Sequence, residues 1–162
     1  MSFEINDNLL ALIYLVGFGI LWVGFMTLLA KVTGWSRLYA QLGSHASPQI
    51  IGGKQKTYRF VSGYINKTQY KNFLKVITTP YCLSVKAFFP FNIGHKPLVI
   101  PWDKISSIRE DRTIFYNSAI VKLISPLNDE LKLPKKIFLN NEHLPERLSI
   151  SPTINLHENP YQ

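Results

Sequence analysis

The chain has 162 residues, 46% hydrophobic, 13% aromatic and only 17% charged, with a formal net charge of +8. That balance is too apolar for a disordered chain and leans towards membrane association. The single cysteine, Cys82, excludes an intramolecular disulfide and a Cys-based zinc site, and reads as a small buried hydrophobe in a strand.

The first eight residues, MSFEINDN, are short and acidic. Leu9 to Ala30 then runs for 22 residues without a charge or a proline. As a helix it would span ~33 Å, enough for a hydrocarbon core of ~30 Å. The acidic start and the length of the apolar run fit a transmembrane helix and not a cleavable signal peptide. No acidic residue occurs between Asp7 and Asp103, an interval holding Lys or Arg at ten positions from Lys31 to Lys96. The positive-inside rule therefore predicts a non-cytoplasmic N-terminus (1–8) and a cytoplasmic C-terminal region. Basic residues next to a membrane helix face anionic headgroups, which accounts for the charge skew without nucleic acid, for which no reading motif is present. Gly17 and Gly24, seven apart, share one helix face and form a candidate surface for another transmembrane helix, from a partner or a second copy.

Residues 31–43 form a juxtamembrane segment in which Trp35, Leu38, Tyr39 and Leu42 repeat at i, i+3, i+4 and i+7. This short amphipathic helix either lies in the membrane interface or docks on the C-terminal domain. Lys31, Trp35 and Arg37 are its candidate interfacial anchors. Residues 44–56, with Pro48 and Gly52-Gly53, read as a linker.

From Thr57 the hydrophobic period changes to two. Strands are predicted over 57–65, 70–78, 81–88, 97–101, 104–109, 112–117, 119–125 and 129–133, with turns at Glu110-Asp111-Arg112 and at residues 125–129. Short strands without a βαβ rhythm predict an antiparallel sandwich or barrel over 57–139. Residues 140–162 are polar and read as a tail, with at most one helical turn near 135–147.

The patterned stretch FFPFNIGHKPLVIPWDKI, residues 88–105, contains His95 and Asp103. Neither has a nucleophile elbow or an oxyanion motif near it, so His95 reads as a turn histidine bonded to local backbone. The four histidines lack metal-ligand spacing, and no Gly-rich phosphate loop is present. No catalytic residue, cofactor or metal is expected. Phe88, Phe89, Phe91 and Ile93, flanked by Lys86 and Lys96, either cap an open barrel end or form a contact loop for lipid or a partner protein.

Leu83 to Ile105, LSVKAFFPFNIGHKPLVIPWDKI, together with Gly34, Trp35, Arg37 and Leu38, resembles a group of uncharacterised small bacterial membrane proteins. Their plan is one N-terminal helix and a β-rich cytoplasmic domain. The run PLVIPWDKISSIRE resembles a segment of bacterial pleckstrin-homology-like domains, which implies a bent seven-stranded sheet closed by a C-terminal helix. Pro145 interrupts the position of that helix. The combined expectation is a single-pass protein of a bacterial inner membrane with a cytoplasmic pleckstrin-like domain. Its role would be non-enzymatic binding, as an adaptor or accessory subunit of a larger membrane complex. The alternative is a sensor of anionic lipid headgroups.

Overall fold

The structure is a computed structural model that describes residues 6–42, 54–113, 116–139 and 141–150. Most of the expected N-terminal segment and linker, and the last twelve residues of the tail, lie outside these. Helix α1 runs over Asp7–Val32. Asn6 caps it, its side chain accepting from the Asn8 N–H, and Asp7 and Lys31 sit at the ends where the helix dipole favours their charges. The chain then turns at Gly34, whose φ of +80° belongs to the left-handed region that glycine occupies freely, and enters α2, Trp35–Leu42.

Seven strands come next: β1 Lys56–Ile65, β2 Thr68–Thr78, β3 Cys82–Ala87, β4 Leu98–Pro101, β5 Ile105–Thr113, β6 Tyr116–Leu123 and β7 Glu130–Pro134. They form one antiparallel sheet in the order β4-β3-β2-β1-β7-β6-β5. Two meanders, β1–β4 and β5–β7, are joined by the pairing of Tyr64 and Ile65 with Lys132 and Leu131. This curled sheet behind a long apolar helix is consistent with the pleckstrin-like architecture expected.

Two expectations about the elements need correction. The turn expected at Glu110-Asp111-Arg112 does not exist; β5 runs through it as one strand to Thr113. Charged residues are tolerated there because Lys135 reaches Glu110 at 2.8 Å and Lys132 pairs with Asp111. The segment expected to be a tail from residue 140 onward is partly docked. Leu148 is buried against the core, and Arg147 donates to the carbonyls of Trp102 and Ile105 at 2.6 and 3.3 Å.

The core gathers the inward residues of every strand with Ile137 and Phe138 of the short helix α3, Lys136–Leu139. Its closure comes from the N-terminal side. Trp35 and Leu38 of α2 and Ala30 of α1 are fully buried members of the same cluster. Burying each of the two large side chains contributes about 1.5–3 kcal/mol. A four-residue α3 and a 3-10 turn at Glu146–Leu148 stand where the pleckstrin-like resemblance implies a closing helix and Pro145 interrupts it, and α2 supplies much of the cover.

Candidate functional site

The most structured region outside the sheet is the joint between α1, α2 and the loop Phe88–Pro97. α2 docks on the sheet domain; this decides between the two placements left open by its amphipathic pattern. Trp35, expected at the membrane interface, has no exposed surface, and its indole N–H donates to the Lys96 carbonyl at 2.7 Å. The reason is packing: its ring lies edge-on to His95 and tilted against Tyr70. Arg37 is not a free headgroup anchor either. It donates to Asp129 at 2.6 Å, and Asn66 donates to the same carboxylate oxygen at 2.7 Å. Asp129 is itself buried, so this pair ties α2 to the β6–β7 turn. Of the three expected anchors, Lys31 at the end of α1 and Arg37 are both exposed, and Arg37 is the one tied to Asp129.

His95 is buried, with Nδ1 at 3.1 Å from the Ile93 carbonyl, as a turn histidine should be. That bond places the proton on Nδ1 and leaves Nε2 without a partner among the described residues. Burial pushes its pKa down, and the Ile93 carbonyl opposes this only in part. Asp103 is exposed in the 3-10 turn Trp102–Lys104, and nothing bonds it to His95. Tyr70 donates to Thr33 at 3.1 Å across the joint, and burial raises its pKa, so it stays a neutral donor. Burial also raises the Cys82 pKa, with its sulfur beside Thr79, as suits a packed thiol.

The loop climbs along α1 from its C-terminal end. Lys96 is level with Trp35, and Gly94 lies against Met26 and Thr27. Phe91 meets Trp22 with ring centroids 6.0 Å apart. A Cβ on Gly94 would stand 2.9 Å from the Thr27 Cα, and its φ is +74°, so only glycine permits this approach. An aromatic row takes the same path, from Phe18 and Trp22 through Phe91 and Phe73 to Tyr70.

The expected contact residues thus divide. Phe91 and Ile93 are half-buried in the joint, and Lys96 places its ammonium over the Tyr39 ring, 5.2 Å from the centroid. Phe88 is half-buried and stacks at 5.1 Å on Phe60, while Phe89 is 81% exposed. Lys86 stays on β3, opposite Lys75 on β2. Phe60 is the residue that sequence reasoning missed. It sits at a register shift of β1 with φ +53°, a left-handed position that costs an aromatic residue about 1–3 kcal/mol and turns its ring outward. Gly17 and Gly24 have no atom within 4 Å of where a Cβ would stand, so their face of α1 is bare.

No protein-family model and no curated protein sequence matches the chain. Among solved structures, it is similar to the C-terminal domain of an unknown protein from Leishmania infantum, with TM-score 0.41 and 16% identity over 54% of this chain and 75% of that one. It is also similar to the Vps36 N-terminal PH domain, with TM-score 0.38 and 11% identity over 49% of this chain and 66% of that one. At these values neither supplies a ligand or a partner for this chain.

Proposed function

We propose that this chain is a non-enzymatic, membrane-tethered binding protein, acting as an adaptor or accessory subunit of a larger membrane complex. In this reading α1 crosses a bacterial inner membrane and the sheet domain is cytoplasmic. One observation carries it: the two sides of α1 are used differently. Trp22, Met26 and Ala30 face the chain's own domain, whereas Gly17 and Gly24, roughly half a turn away at 100° per residue, are bare. Small residues on a bare membrane helix face let a second helix approach closely. A domain clamped to its own anchor holds a fixed position beside whatever that second helix belongs to. The non-enzymatic part of the reading is supported by His95, whose neighbours are Trp35, Tyr70 and backbone and which is not paired with a carboxylate.

A photo-crosslinking residue at Leu21, on the glycine face, should give one discrete protein adduct in native membranes, and Gly24→Leu should abolish it. Adducts with lipid alone would count against the adaptor. A reagent that labels the C-terminal tail from outside intact cells would refute the orientation.

The lipid-sensing alternative has its own support at the α1–α2 elbow. A cleft of about 380 Å³ there is lined by Lys31, Thr33, Arg37, Asn66, Lys67 and Thr68. With Arg37 held by Asp129, Lys31 and Lys67 are the cations left to meet a headgroup. The double reversal Lys31→Glu, Lys67→Glu should then deplete anionic lipid from the purified full chain; an unchanged lipid content would remove this alternative.

A further inference from the structure

The contacts of the loop conflict with the simplest placement of α1, and the conflict locates the domain. If Leu9–Ala30 all lay in hydrocarbon, Trp22 would stand about 4 Å from the bilayer midplane. The turn Phe88–Asn92, closed by the Asn92 N–H to the Phe88 carbonyl and packed on Trp22 through Phe91, would stand there with it. Its polar backbone could not be satisfied at that depth. If instead lipid ended where the domain begins, only Leu9–Leu21 would be free to cross, thirteen residues or ~20 Å, which is ~10 Å short of a typical core. The shortfall closes if the top of the domain itself sinks into the boundary by the 5–10 Å typical of interfacial segments.

The residues at that level are suited to it. We infer that Phe60, Phe88 and Phe89 form a second membrane attachment, inserting into the headgroup–acyl boundary of the same bilayer that α1 crosses. Phe60 and Phe89 are among the most exposed large side chains of the domain, at 69% and 81%. Phe60 is held outward by a left-handed backbone at the register shift of β1. The patch is continuous, through Phe91 and Trp22, with the lipid-facing surface of α1 at Phe18 and Phe25. Arg59 and Lys86 lie on the strands that lead into it and Lys71 and Lys75 on β2 between them, and no acidic residue lies between Asp7 and Asp103 in the sequence, which matches an anionic surface. This placement rests on α1 spanning the membrane, and it stands whether or not a partner helix binds the glycine face.

The test uses the full chain reconstituted in vesicles of neutral and anionic phospholipid, with an environment-sensitive fluorophore on an introduced cysteine. Cys82 is buried and stays unlabelled. At Phe89→Cys, emission should shift to the blue, lipids brominated near the glycerol end should quench it, and iodide quenching should fall severalfold relative to Asn128→Cys. Asn128 is the reference because it is exposed beside Asp129, level with α2 and beyond the end of α1. Iodide access at 89 equal to that at 128, with a Leu15→Cys label still quenched by deeply brominated lipid, overturns the insertion and leaves the span intact. Iodide access at Leu15 as well overturns both.

Discussion

The two halves of α1 are equally apolar, yet they live in different surroundings. From Asp7 to Leu21 every residue is exposed, on all sides of the helix. From Trp22 to Thr33 one stripe, at Trp22, Met26, Ala30 and Thr33, is covered by the domain. The first half is solvated by whatever surrounds the molecule, and the second is half exposed helix and half core helix. An apolar helix can thus serve two solvents in succession, because a hydrocarbon tail and a protein core ask much the same of a side chain. Only small details mark the change, such as Ala30, where the sheet domain comes close.

That contrast can be broken most strongly from the far side of the joint. Trp35→Ala should cost about 3–5 kcal/mol of domain stability, because a fully buried indole leaves a cavity and strands the Lys96 carbonyl. Chemical denaturation of the full chain in detergent, monitored by circular dichroism of the sheet, measures it. Gly94→Ala should cost less, about 1–2 kcal/mol from the left-handed backbone plus the displacement of Thr27. Its signature is local: hydrogen exchange at Met26–Thr33 should rise, while the sheet stays protected.

Acid sharpens the comparison further. Burial holds the folded pKa of His95 below the ordinary value of about 6.5. The unfolded chain therefore binds its proton first, so the joint is at full strength above that pH and weakens as the pH falls towards the folded pKa. The neighbouring Tyr70 is neutral throughout this range. Stability measured from pH 7.5 down to about 5 should decline, and His95→Phe should flatten that part of the decline. The smallest effect belongs to the exposed half: Leu15→Ala should leave domain stability and exchange in the joint unchanged, since none of the described residues covers Leu15.

Much of this was legible in the sequence, for identifiable reasons. The long helix, the alternating strands and the amphipathic face of α2 come from spacing alone. What packs on that face does not, because Trp35 pairs with residues sixty positions away. Charge density at Glu110–Arg112 suggests a turn, whereas the ion pairs that let it be a strand come from Lys132 on β7 and Lys135 just after it, far along the sequence. Phe60 was invisible because a register shift in β1 sets its direction, whatever the residue type. The loop 88–96 stands out in the sequence for its aromatics, but its ascent along α1 depends on the absence of a single Cβ, at Gly94.

The burial of α2 also bears on how the molecule comes into being. A chain is made from its N-terminus, so the anchor and the plug exist before the first strand leaves the ribosome. The sheet then forms around Trp35 and Leu38, which are already in place as part of α2. A fragment beginning at β1 would be a shell without its stopper.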